Sequence, residues 1–280
     1  RLEVTSRADA ALFALMQLAT PASLAFMSWR LGPAAFNIMP MPAVVIIWMC
    51  LAAYYVAQII DTIRINRAVI VGVRVAEVHS YRFSQVAILC LAYLISFGSE
   101  LAVISILPLF FAEKMEFSIA MAGLLGASFG ATTFFARPFG GWFSDKFGRK
   151  TALLIAFAGA AAGYFAMSYM GSVTGPAYAV AVTFLCSLFI NAGNGAVYAM
   201  LPLVKRRLTG QIAGLVGAYG NIGSVVFLLI FAQFGHALFL VIAAVAAAVG
   251  AVLILFFIEE PAGQLVEVLP DGSLALIELK

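Results

Sequence analysis

Apolar residues run along this chain in long blocks, not at a period of two or of 3.6. Eight blocks, roughly 10–29, 42–63, 85–111, 118–142, 151–171, 176–204, 210–233 and 236–258, are long enough to cross a hydrocarbon core about 30 Å thick. Where every helix face is apolar, periodicity cannot sort the faces, so the spans are read from their length and their breaks. The connections are short, which favours antiparallel neighbours. A turn-rich stretch from Gly32-Pro33 to Pro42 separates the first two blocks, and Glu259-Glu260-Pro261 stops the last. The pattern changes only beyond that stop, where Leu265 to Leu279 alternates around Pro270-Asp271-Gly272, a hairpin signal. The predicted fold class is all-α, a polytopic membrane bundle of about eight transmembrane helices.

Composition supports this reading. Apolar residues make up 64% and charged residues 10%, with a mean hydropathy of +1.06, whereas soluble domains average about 25% charged. All but three of the 16 Lys and Arg fall in alternate connections on one side. Arg30 and Lys114 lie on the other side, and Arg137 lies within a span. The positive-inside bias therefore places both termini in the cytoplasm. The net charge of +3 is spread over loops and does not point to nucleic acid. Cys50, Cys90 and Cys186 are too scattered for a disulfide framework or a metal site. No metal and no cofactor are expected. No His-x-x-x-His, Gly-x-Ser-x-Gly or acid pair falls within the spans, so an intramembrane enzyme is not expected. The chain begins at Arg1 without methionine and is expected to be a fragment or a processed piece.

Polar residues inside the spans are the candidate chemistry. Arg137 lies about 12 Å along a helix from Asp145, too deep for easy snorkelling, and such an arginine marks a functional site by default. Glu100 is the single acid deep within a span, Asp61 standing at the end of the second. It is either a proton acceptor or the structural partner of a nearby donor such as Arg137. Tyr93, Phe97 and Glu100 share one helix face at i, i+4, i+7. Asn191, Asn194 and Tyr198 form a polar stripe that must bond neighbouring helices or line water. Gly210, Gly214, Gly217 and Gly220 or Asn221 make a smooth face, suited to close packing or to the approach of a small ligand. Gly159 and Gly163 form a small-xxx-small pair. Trp29 and Trp48 could anchor at the interface, Asp61 to Arg82 reads as a helix on the inner surface, and His79 and His236 read as ordinary exposed and interfacial histidines.

Five stretches carry a resemblance. Gly141-x-x-x-Asp145-x-x-Gly148-Arg149-Lys150, between two apolar spans, resembles the loop between the second and third helices of each half of the major facilitator superfamily. Together with Tyr93-x-x-x-Phe97-Gly98-Ser99, Arg137-x-x-Gly140-Gly141, Gly193-Asn194-Gly195 and Gly217-x-x-Gly220-Asn221-x-Gly223, it resembles the nitrate/nitrite porter family, over about residues 84 to 258.

The resemblance implies a major facilitator fold and transport of nitrate or nitrite by alternating access. It implies an anion clamped between two arginines, one from each half, with Arg137 the second of them and Tyr93 and Phe97 the aromatic contacts. Gly217, Gly220, Asn221 and Asn194 are the further substrate-site candidates, and Gly141, Asp145, Gly148, Arg149 and Lys150 the gating loop. Glu100 departs from the core motif. Residues 1–83 then read as a two-helix hairpin with a basic linker, 84–258 as a carboxyl-terminal six-helix half, and 259–280 as a cytoplasmic tail. The expected partners are nitrate or nitrite, the lipid bilayer, and a missing amino-terminal half or a second copy; the expected location is a bacterial inner membrane. The alternatives are a facilitator porter for another small anion or drug, and a non-transporting membrane fragment.

Overall fold

The computed structural model describes residues 2–73, 80–171 and 175–260, and the backbone of 263–268 and 274–279. The fold is helical, with ten α-helices and one β-hairpin among the described residues. It divides into two compact units, Arg1–Ala87 with Leu201–Ala218 and Pro261–Lys280, and Ile88–Met200 with Tyr219–Glu260.

In the first unit, α1 (Arg7–Gln17) and α2 (Ala19–Leu31) form one apolar run jointed at Leu18. Pro21 has no N–H to offer the Gln17 carbonyl, which accounts for the joint. Ser6 caps α1 by accepting the Asp9 N–H. α3 (Met41–Ile65) is 25 residues long, and only 6% of its apolar stretch is buried, so the described residues leave most of its surface uncovered. Trp48 is tied down by its indole N–H, which reaches Ser28 Oγ at 3.0 Å, and it clamps α3 to α2.

Asn66 is buried, accepting the Val4 N–H at 2.8 Å and donating to the carbonyls of Leu2 and Thr62. Of the expected inner-surface helix, Asp61 to Arg82, the structure describes residues 61–73 and 80–82. α4 (Arg67–Val71) ends after five residues because Gly72 turns left-handed at φ 112°, and His79 lies outside the described residues. Strands β1 (Gly263–Val268) and β2 (Leu274–Leu279) pair antiparallel, with Gly263 opposite Leu279.

The second unit is built around α5 (Phe83–Lys114), whose apolar stretch is 61% buried. The next apolar run is broken at Thr132 into α6 (Ile119–Ala131) and α7 (Thr133–Phe147). α8 (Arg149–Met167), α9 (Gly175–Val204) and α10 (Thr209–Phe257) follow. α10 holds one non-helical residue, Gly235, at φ 71° and ψ −172°. The pieces on either side, 209–234 and 236–257, are about 39 and about 33 Å long, each enough for a crossing. Among the described residues, seven apolar helical runs, the last of them double, thus supply the eight spans read from the sequence.

Candidate functional site

All of the polar residues that the spans carry near Arg137 come together in the second unit. α7 starts at Thr133, so Arg137 stands in its second turn. α9 approaches it backbone to backbone. A Cβ on Gly195 would overlap the Arg137 carbonyl oxygen, and one on Gly140 would overlap the Ala192 carbonyl. Glycine at these two positions lets Asn191 and Asn194 come within hydrogen-bonding range of α5 and α7.

A guanidinium has five donors. Arg137 gives its Nε–H to Asn191 Oδ1 at 3.2 Å and an Nη2–H to Glu100 Oε2 at 2.8 Å. The others, both Nη1 protons among them, meet no acceptor among the described residues, and the side chain is 29% exposed. One edge of the fork is therefore anchored and the other is open. The guanidinium carbon lies 5.3 Å from the centre of the Phe97 ring, a cation–π contact. Phe97 stacks on Tyr93 at 4.9 Å and 6°, and Tyr198 meets Tyr93 edge-on at 5.0 Å. A Cβ on Gly220 would collide with both Tyr93 and Phe97, so α10 closes against the aromatic pair.

Glu100 is 2% exposed. Its Oε2 also accepts from Asn194 Nδ2 at 2.6 Å, and Thr133 Oγ1 lies 3.2 Å from its Oε1. Thr133 Oγ1 lies closer, at 2.8 Å, to Asn191 Oδ1. The second layer is also satisfied. Ser96 donates to Asn194 Oδ1 at 2.6 Å, Asn191 Nδ2 donates to Thr132 and to the Ser187 carbonyl, and the wholly buried Tyr164 donates to Ser99 at 2.8 Å. A buried ion pair is tolerated when its remaining polar atoms are satisfied in this way.

The structure separates residues that the sequence grouped. Asn194 is 1% exposed with both ends of its amide occupied, so it holds Glu100 in place. Asn221 is exposed and Gly217 half-buried on α10. Thr133 and Ser96 went unnoticed in the sequence, where a lone hydroxyl in an apolar run carries no signal.

The loop motif is a second polar cluster. Gly148 at φ 101° opens α8, and the Glu260 carboxylate caps that helix by accepting the Arg149 N–H. Asp145 pairs with the Arg149 side chain. Lys146 Nζ lies 5.1 Å from the centre of the Trp142 ring. Gly141 lies on α7, near the Gly195 carbonyl, and Lys150 is half-buried in the first turn of α8.

A model of the Major Facilitator Superfamily matches residues 89–278. The chain belongs to that superfamily. This facilitator chain is 36% identical to the nitrate/nitrite transporter NrtP of Picosynechococcus over 95% of its own length and 53% of the relative's. It is 35% identical to NrtP of Nostoc punctiforme over 86% and 49%. To the high affinity nitrate transporter 2.5 of Arabidopsis thaliana it is 34% identical over 51% and 30%. It thus spans about half the length of the curated relatives it matches. The relatives are named as transporters, and the family resemblance read from the motifs agrees with them. The length shared with the Picosynechococcus protein, 95% of this chain, takes in the second span. Among solved structures the fold is similar to that of the Escherichia coli fucose:proton symporter FucP, at a TM-score of 0.52 and 15% identity, over 80% of this chain and 60% of that one. The chain is an integral membrane protein of the facilitator type.

Proposed function

We propose that this chain contributes one half of a transporter that moves nitrate or nitrite by alternating access, with Arg137 as its anion-binding group. The observation that carries this reading is the open edge of the Arg137 guanidinium over Phe97, in a chain whose relatives are named nitrate/nitrite transporters. Nitrate is planar and stays unprotonated in water, so its site must supply fixed positive charge. A guanidinium offers parallel donors to two oxygens and is weakly hydrated. Tyr93 and Phe97 give the anion a flat apolar wall. Gly220 sets how closely α10 approaches that wall, and Asn221 and Gly217 lie along the same helix. Asn194 acts through Glu100 and is a positioning residue.

Residues 84–258 act as the carboxyl-terminal half in this reading, and the opposite wall comes from a partner half or a second copy. The loop from Gly141 through Asp145, Gly148, Arg149 and Lys150 gates the inner side. Both termini are cytoplasmic, in a bacterial inner membrane. Calorimetric titration of the purified chain with sodium nitrate, sodium nitrite and sodium chloride tests the site. Nitrate and nitrite are expected to bind more tightly than chloride, and Arg137→Lys to weaken them at least about tenfold while the chain still folds. Equal binding by the lysine variant would overturn the assignment. Labelled-nitrate uptake into liposomes tests the need for an opposite wall, and saturable uptake by a demonstrated monomer would overturn that part.

A further inference from the structure

Between α7, α8 and α9 the second unit has a groove of about 330 Å³, lined by Phe, Leu, Ile, Ala and Gly alone. Phe135, Phe139 and Phe143 form its α7 wall, Ala152 and Ile155 its α8 wall, and Phe189 stands on α9. Close helix contacts shape it. Gly140 meets the Ala192 backbone, which closes the base between α7 and α9. A Cβ on Gly159 would overlap the Phe189 ring, so glycine there lets that ring lie against α8.

Water has no place in such a groove, because an ordered water needs about two to four polar partners. Left empty, the lining would forfeit its dispersion contacts. In a membrane-spanning bundle the filling is hydrocarbon. From Phe135 to Phe143 the wall runs about 12 Å along α7. Spread over that length, the volume gives a mean cross-section of about 28 Å². A helix about 10 Å across needs about 80 Å². A helix of another chain therefore cannot enter, whereas one extended hydrocarbon chain can.

One end of the groove is charged. Phe139 meets Trp142 at 5.6 Å and Phe143 meets Phe147 at 4.6 Å between ring centres. Lys146 Nζ lies 5.1 and 5.4 Å from the centres of the Trp142 and Phe147 rings. On α8, Arg149 is one turn before Ala152 and on the same helix face. The acids here are engaged: Asp145 pairs with the Arg149 side chain, and Glu260 takes the Arg149 N–H. Lys146 has no carboxylate partner among the described residues. A loop between two spans stands at the level of the lipid headgroups, where a basic side chain attracts anionic lipid.

We propose that this groove is a lipid site that takes one acyl chain of an anionic phospholipid, with Lys146 at the lipid phosphate and Arg149 beside it. The bound chain braces α7, which carries Arg137, against α8 and α9.

The test is native mass spectrometry of the detergent-purified 280-residue chain with dioleoyl phosphatidylglycerol, dioleoyl phosphatidylcholine and glycerophosphoglycerol, the last a phosphodiester without acyl chains. The first phosphatidylglycerol is expected to bind about fivefold more tightly than phosphatidylcholine, and glycerophosphoglycerol not to displace it. Lys146→Gln is expected to abolish the preference and leave phosphatidylcholine binding as it was. Ile155→Trp fills the groove from an exposed position. It is expected to weaken both lipids at least about tenfold, the equivalent of about two CH₂ groups left unburied. Leu185→Trp, from the α9 side, replaces it if that variant fails to fold. Equal affinity for the two lipids, a preference that survives Lys146→Gln, or full binding with the groove filled overturns the proposal. Displacement by glycerophosphoglycerol overturns it in favour of a plain phosphate site. A lipid-free dimer that Ile155→Trp turns into a monomer overturns it in favour of a second copy of the chain.

Discussion

Asn194 Nδ2 donates to Glu100 Oε2 at 2.6 Å, and that oxygen is the one that also receives Arg137. Removing the amide would leave a buried carboxylate one donor short. Asn194→Leu is expected to lower stability by about 1–3 kcal/mol, read as a fall in melting temperature in detergent. A variant that melts with the parent would mean that Glu100 does not depend on this bond.

Gly195 lies against the Arg137 carbonyl with no room for a methyl group. Gly195→Ala should push α9 away, costing about 1–3 kcal/mol and weakening nitrate binding along with it. Gly210, with open space where its Cβ would stand, is the control. Gly210→Ala is expected to change stability by no more than about 0.5 kcal/mol. Similar losses from both variants would refute the close-contact argument.

The α8 cap gives a third expectation. Glu260→Ala removes the carboxylate that receives the Arg149 N–H and should cost about 0.5–2 kcal/mol. Hydrogen exchange at the first amides of α8 reports it directly, since those amides should exchange faster in the variant. Unaltered exchange there would rule out the cap.

In the first unit, Asn66→Leu leaves the Val4 N–H without its acceptor. Because Asn66 is 2% exposed, water cannot easily replace it, and a loss of about 1–3 kcal/mol is expected. Limited proteolysis should then cut near residues 2–5, which the parent protects. Equal resistance in both proteins would count against this role.

Much of the framework could be read from the chain because length alone decides a membrane span. The depth of Arg137, the isolation of Glu100, and the shared face of Tyr93 and Phe97 were equally plain. What could not be read is which polar group meets which. An apolar helix gives no periodicity, so nothing local distinguishes Asn194, which is enclosed, from Asn221, which is exposed. Nothing in the sequence around Trp48 shows that Ser28 stands beneath its N–H. The break at Thr132, which no proline or glycine marks, was invisible for the same reason. Glu260 read as a stop signal, because its partner stands 111 residues earlier.

That separation has a consequence for how the chain is made. The N-terminus of α8 emerges from the ribosome long before the residue that caps it. At about 5–20 residues per second, the wait is roughly 6 to 22 seconds. During that interval the first turn of α8 must find water or lipid headgroups for its free N–H groups, and the contact closes only once α9 and α10 have been synthesised. Its closure over so long a loop adds only a slowly growing entropic cost. The cap is therefore among the last contacts to form, and a chain stalled before residue 260 would carry α8 with its first turn still open.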